Sequence, residues 1–254
     1  MRFVLVSAHA VSWSLLAHVV TAHAAHPFIT DDTRTQGSGH YELQLGAQYT
    51  RAPFDDIVIS NFQFAPQLTY GVAAEVDAIL RPTYNVTALT GAMSGRSAGF
   101  GDTSVEFKWR FWGSDELSAG LRAGSGFASG NFDRGLDSGQ STPRAYLLFT
   151  AVLPTIELDV NVGTTRSINS PEARQWLGHA SVLALWRVHD GLQLGADLAV
   201  DQNPLRSLSQ LPVVLLLGAI MKASTDWDLD VGYQRGLNRS APRDQVLLGA
   251  TLRW

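Results

Sequence analysis

The chain has 254 residues, 45% of them apolar and 17% charged, with no cysteine and a formal net charge of -4. The absence of cysteine excludes disulfide scaffolds and thiolate metal sites, and the mild acidity offers no electrostatic grip on nucleic acid. Past the amino terminus the longest apolar run, "LPVVLLLGAIM", is too short to cross a bilayer as a helix.

The first element is an apolar stretch behind Arg2, including Val4, Leu5, Val6, Val11, Trp13, Leu15 and Leu16 and ending at Ala22-His23-Ala24. This is the pattern of a secretory signal peptide, residues 1–24, cleaved after Ala24; His9, Ser12, Ser14 and His18 interrupt it too often for a membrane anchor. Its removal takes away Arg2 and leaves a net charge of about -5. Residues 25–38 then read as a short periplasmic lead, and 39–254 as one domain without a linker.

Within that domain the recurring feature is strict alternation. In "HYELQLGAQYT" Tyr41, Leu43, Leu45, Ala47 and Tyr49 oppose Glu42, Gln44, Gly46 and Gln48. In "NFQFAPQLTY" Phe62, Phe64, Leu68 and Tyr70 oppose Asn61, Gln63, Gln67 and Thr69. In "DTSVEFKWRF" Asp102, Ser104, Glu106, Lys108 and Arg110 oppose Thr103, Val105, Phe107, Trp109 and Phe111. A period of two predicts strands. Further strands are expected over residues 75–84, 117–127, 144–153, 156–165, 176–187, 192–201, 213–222, 227–234 and 244–254, about twelve in all. The connections "GVAA", "GSDE", "PT", "VHDG" and "ASTD" are tight, whereas "NVTALTGAMSGRSAG", "ASGNFDRGLDSGQST" and "RSINSPEARQ" read as long polar loops. Alternating short turns and long loops predict an antiparallel up-and-down β-barrel.

Alternation alone does not say which face is wet. Glycine recurs on the polar face, at Gly46, Gly120, Gly124, Gly195, Gly232 and Gly249, as a crowded interior requires and a solvated exterior does not. Tyr41, Tyr49, Tyr70, Trp109, Trp176, Trp186, Trp227 and Trp254 sit near strand ends, where interfacial girdles place aromatics. No charge falls on the apolar face of the strand interiors, where a lipid-facing arginine would cost roughly 2–4 kcal/mol. The expected fold is therefore a transmembrane barrel of the outer membrane of a Gram-negative bacterium, with the bilayer as its partner. The terminal strand, with Val246, Leu248, Leu252 and Trp254 on one face, is read as an assembly signal that pairs with barrel-insertion machinery and then closes on the first strand.

Three stretches, "FITDDTRTQGSGHYELQLG", "GFGDTSVEFKWRF" and "DLDVGYQRGLNRSAPRDQVLLGATLRW", resemble the outer-membrane transporters grouped under the MetA pathway of phenol degradation. Gly99 to Asp102 is the most distinctive element of the resemblance. It implies a barrel that moves small organic compounds and brings no functional residues with it.

Candidate lumen residues follow from the faces. Arg81, Glu106, Lys108, Arg110, Arg122, Arg144, Asp159, Arg187, Asp197, Asp228 and Asp230, with Asp77 and Glu157, form a ladder of opposite charges. Such a ladder either defines an ion path or fills a narrow barrel with mutual pairs. The couples Glu157/Asp159 and Asp228/Asp230 each place two carboxylates roughly 7 Å apart on one face; no dense ligand set or cofactor motif accompanies them, so no cofactor is expected. Leu183, Leu185, Val214, Leu216 and Ile220 share faces with Arg187 and Lys222, and predict an apolar groove in the lumen. His179-Ala-Ser181 has the histidine-to-serine spacing of outer-membrane phospholipase A, but a triad also needs an orienting group, and the neighbouring "VLAL" offers none. The leading expectation is a non-enzymatic channel for small organic, aromatic or amphipathic solutes. A closed structural or adhesive barrel is the alternative, and an acyl hydrolase a minor one.

Overall fold

Alternating sequence closes here on itself. The computed structural model describes residues 26–54, 56–92, 94–136, 138–166 and 171–254; the signal-peptide reading lies outside them. The strands are β1 (Tyr41–Phe54), β2 (Ile57–Phe64), β3 (Gln67–Ala73), β4 (Val76–Arg81), β5 (Tyr84–Gly91), β6 (Gly95–Phe100), β7 (Thr103–Gly113), β8 (Leu117–Phe127), β9 (Thr142–Val152), β10 (Ile156–Arg166), β11 (Trp176–His189), β12 (Leu192–Asp201), β13 (Val213–Lys222), β14 (Trp227–Gly236) and β15 (Asp244–Arg253). All pairings are antiparallel between neighbours, and β15 pairs with β1 from Glu42↔Arg253 to Arg51↔Asp244, which closes the sheet.

The fifteen segments make twelve barrel strands, because three strands are each broken once: β2/β3 at Ala65-Pro66, β4/β5 at Pro82-Thr83 and β6/β7 at Gly101-Asp102. Proline cannot donate to a ladder, so two of the breaks have a covalent cause. Beyond them β2, β5 and β6 form a three-stranded flap on β1. The stretch "NVTALTGAMSGRSAG", expected as a loop, is largely strand: β5 and β6 pair from Tyr84↔Phe100 to Leu89↔Gly95. Its small and polar residues hid a half-buried hairpin.

Burial settles the faces. In β7 Ser104, Glu106 and Lys108 are buried, while Val105, Phe107 and Trp109 are exposed. The exterior is thus apolar and the interior polar, the inverse of a soluble barrel and the arrangement that lipid demands. Aromatics ring both ends. Tyr41, Tyr70 and Trp254 cluster at one, with Trp254 stacked on Tyr41 at 5.5 Å, and Tyr49 and Phe62 are register partners toward the other. The tight turns lie at the Tyr41/Trp254 end, which short turns mark as periplasmic.

Residues 26–36, expected as a periplasmic lead, lie instead inside the lumen. The chain turns inward through Gly37 and Gly39, both at positive φ (79° and 84°). Phe28, Thr30, Asp31 and Thr33 are buried. The polar lumen wall supplies partners for their backbone groups, and the apolar exterior supplies none.

Candidate functional site in the barrel lumen

The lead crosses the lumen from one wall to the other and meets different chemistry on each. From the periplasmic rim, the Gln36 amide donates to Asp77 on β4. Arg34 forks onto Glu157 of β10 with contacts of 2.7 and 2.9 Å, and its Nε donates to Asp32 at 2.7 Å. Thr33 is held by Thr150 of β9 and Ser118 of β8. Asp31 accepts from Arg122 Nη1 of β8 at 2.8 Å and pairs with Lys108 of β7 at 3.3 Å. Its backbone N–H and C=O are both bound by the Asn161 side chain of β10, at 2.7 and 2.8 Å. Arg122 also pairs with Glu106 at 2.7 Å, and Arg144 approaches Glu106 at 3.7 Å.

Asp31, Glu106, Lys108 and Arg122 are buried together, so each depends on the others for charge compensation, whereas the Arg34 side chain is half exposed at the rim. Burial by itself raises the Asp32 carboxyl, but the guanidinium of Arg34 and the ammonium of Lys108 more than reverse this and hold it at about 2. The Arg34 guanidinium is pushed up by Asp32 against its own desolvation, with Glu157 adding to the rise.

On the opposite wall Asp197 of β12 accepts from the amides of Ile29 and Thr30 and from Thr30 Oγ1, at 2.7–2.8 Å. Phe28 then packs with Leu183, Leu185, Leu216 and Leu247, with Ile220 alongside. Its ring rests over Gly195 and Gly218, the first two of a row of glycines that register aligns across three strands, Gly195↔Gly218↔Gly232. A Cβ at Gly195 or Gly218 would press into that ring, and one at Gly232 would crowd Pro27. His26 occupies a second glycine pair, Gly46↔Gly249, and bonds Asp230 of β14. A cavity of about 50 Å³ remains beside the lead, lined by Gln44, Gln48, Gln67, Gln234, Gln245 and Arg81 among others.

In the structure the residues of the predicted ladder fall into several groups. Glu106, Lys108, Arg122 and Arg144 form the central cluster. Asp197 and Asp230 bind the lead, and Asp159 accepts from Thr150 at 2.6 Å. Arg187 and Asp228 line a cavity of about 220 Å³ at the periplasmic mouth with Lys222 and Arg253, where Arg253 bridges Asp228 and Glu42. Arg110 departs from the expectation: it reaches down to Ser114 and the exposed Asp115 of the turn after β7. Arg81 has no direct ion-pair partner among the described residues.

All five residues of the predicted apolar groove face the lumen, four around Phe28 or Ile29 and Val214 in a patch with Ala199 and Ala241 that Ile29 also touches. Sequence reasoning missed the lead itself, Asn161, Thr150 and Leu247. The glycines on the polar faces were the available signal, but only register shows that they lie side by side. Among the described residues no group of side chains is arranged to hold a metal ion.

A closed barrel, apolar outside and polar within, is an outer-membrane β-barrel of Gram-negative type. The chain belongs to the family described as "Putative MetA-pathway of phenol degradation", whose model matches residues 24–254. No curated protein matches it in sequence. The fold is shared with the COG4313 outer membrane channel from Pseudomonas putida F1, at 11% identity and a TM-score of 0.72, covering 88% of this chain and 98% of that one. The KdgM porin in complex with disordered oligogalacturonate shares it at 10% identity and a TM-score of 0.51, covering 84% and 98%. The translocator domain of the autotransporter NalP from Neisseria meningitidis does so at 13% and 0.52, covering 98% of both.

Proposed function

We propose that the protein is an outer-membrane channel for small organic solutes in which the amino-terminal lead is a displaceable plug. The observation that carries this reading is Phe28: an aromatic side chain of the protein's own lead fills a groove of four aliphatic residues in a largely polar lumen. A ring-bearing or amphipathic solute matches that groove in shape and polarity, and a sugar of equal size does not. Displacing the lead would open the space that Pro27, Phe28, Thr30, Asp31 and Thr33 now fill. Passage needs no bond-making, so transport assigns no enzymatic step to the path. Export by a signal peptide cleaved after Ala24 and assembly through Val246, Leu248, Leu252 and Trp254 complete the reading; all four face outward on the closing strand.

Proteoliposomes carrying refolded protein test it. Aromatic acids should enter faster than size-matched sugars, and Leu216→Arg should reduce that preference. The second reading, a closed structural barrel, is favoured by the small size of the remaining cavity, about 50 Å³. It would prevail if a chain lacking residues 25–36 still passed neither solute nor current.

A further inference from the structure

We propose that His179, Ser181 and Asp201 form a nucleophilic site in the lumen that accepts the acyl group of a small apolar ester. His179 and Ser181 are two apart on β11, so both project inward, and Asp201 of β12 is the direct register partner of His179. The histidine Nδ1 lies 2.8 Å from Asp201 Oδ1, and its Nε2 lies 3.2 Å from Ser181 Oγ. A carboxylate can only accept, so Nδ1 of the neutral ring carries the hydrogen; Nε2 is then an acceptor and faces the serine hydroxyl. This is the order nucleophile, base, orienting group that an activated serine requires. The orienting group absent from the local sequence comes from the next strand. Tyr146 meets the imidazole edge-on at 5.7 Å, and its own hydroxyl is fixed by Thr165 at 2.7 Å, which holds the ring in plane.

The surroundings supply the two other parts of an acyl-transfer site, and both are covered by the lead. Asn161 is the register partner of Ser181 on β10, and its Nδ2 now donates to the Asp31 carbonyl. Freed, that amide can donate to the oxyanion that forms beside Ser181. Along the same face of β11 follow Leu183 and Leu185, now packed on Phe28, where an apolar acyl chain would lie. This last point rests on the groove proposed above; the hydrogen-bonded side chains do not.

In the reaction Ser181 Oγ bonds to the ester carbonyl carbon while its proton passes to His179 Nε2. The ester C–O bond breaks, the leaving alkoxide or phenoxide takes that proton, and the acyl group remains on Ser181. Water then adds to the acyl carbon, giving a proton to Nε2 that returns to Ser181 Oγ as the carboxylic acid leaves. Ser181 and His179 are the catalytic residues, and Asp201 is a positioning residue.

The test uses the refolded mature chain in detergent and an alkyl fluorophosphonate probe, with mass spectrometry of the labelled peptides. One adduct per chain should form, at Ser181, and Asp31→Ala should speed it at least about tenfold, because it removes the ion pairs to Arg122 and Lys108 that hold the lead over Asn161. In the Asp31→Ala background, His179→Asn should slow labelling about a hundredfold or more. Asp201→Ala should lower the limiting rate about tenfold with the half-saturating probe concentration unchanged, and Asp201→Glu should recover part of it. Labelled protein should release p-nitrophenol from p-nitrophenyl butyrate more slowly than unlabelled protein. Folding of each variant is read from heat-modifiable gel migration, and peptide mapping on the unsubstituted chain and Asp31→Ala needs no further variant. No Ser181 adduct on folded Asp31→Ala, or one formed equally fast with His179→Asn, overturns the proposal. Conductance of the lead-deleted chain is measured in parallel, and failure of the nucleophile leaves that current, and the channel reading, untouched.

Discussion

The two walls of the lumen hold one short peptide by different means. The wall of β4 and β7–β10 grips Thr33, Asp31 and Arg34 with ion pairs and hydrogen bonds, several fully buried. The wall of β11–β15 seats Phe28, Pro27 and His26 in shape-matched hollows floored by glycine, with Asp197 as its principal anchor for the backbone. The first grip is specific and sensitive to charge. The apolar part of the second, around Phe28, is non-directional and proportional to apolar area, and is open to competition from an apolar ring of similar size. A plug held only by charge would answer to salt and acid alone; under the proposed reading, the apolar wall would let an uncharged solute open it.

Removing the lead erases the contrast, and this should have the largest effect. A chain lacking residues 25–36 should show single-channel conductance at least about tenfold above the full mature chain in a planar bilayer. Equal conductance would mean that the lead does not limit passage. Next comes the centre of the charged wall. Arg122→Met leaves Asp31 and Glu106 buried with less compensation, and loss of one partner of a buried network costs about 3–5 kcal/mol. Urea titration of folded fraction should show this as a lower midpoint with an unchanged slope. Adding Glu106→Gln should recover part of it, and full additivity of the two losses would argue against a shared network.

The apolar wall gives a smaller and more selective effect. In Gly195→Val the new side chain occupies the space of the Phe28 ring, and expelling that ring forfeits roughly 1.5–3 kcal/mol of burial. The barrel should fold normally, and open-channel probability should rise about ten- to a hundredfold. Phe28→Ala should behave alike. A rise with Gly195→Val but none with Phe28→Ala would show that the glycine serves the sheet and not the plug.

How far these walls could be read from sequence depends on the range of the information. Alternation is local, so Val105, Phe107 and Trp109 against Glu106 and Lys108 announced the strand and its two faces. Glycine and aromatic placement then oriented the faces without reference to any neighbour. The Leu183, Leu185 and Leu216 side of the groove was legible for the same reason. Its occupant was not, because nothing in "HPFITDD" distinguishes a lead in the periplasm from one folded inward. That depends on whether a distant wall satisfies its amides, as Asp197 does for Ile29 and Thr30. Register was equally hidden. Gly195, Gly218 and Gly232 come from three strands, and His179 meets Asp201 across 22 residues, through a pairing set by turn lengths and barrel stagger rather than by either segment.

Acid acting through Asp32 should loosen the charged wall, and this is the smallest expected effect. The Asp32 carboxyl lies among Asp31, Glu157 and Asp159 as well as Arg34 and Lys108, and the two cations prevail over burial to hold it at about 2. A lead released into water would titrate near the ordinary aspartate value, about 3.9. The docked value is the lower one, so docking is favoured by this group in full above about pH 4 and loses that contribution as pH falls toward 2. Between pH 8 and 5 Asp32 should contribute no change in conductance. Below pH 4 open probability should climb, and Asp32→Asn should flatten that part of the profile while raising the baseline at neutral pH, since Arg34 then keeps only Glu157. Arg34 stays charged throughout and adds no step of its own. An acid limb that survives Asp32→Asn undiminished would assign it to other carboxylates of the lumen. A limb already complete by pH 5 would show that the ion pairs around Asp32 do not govern the docked lead.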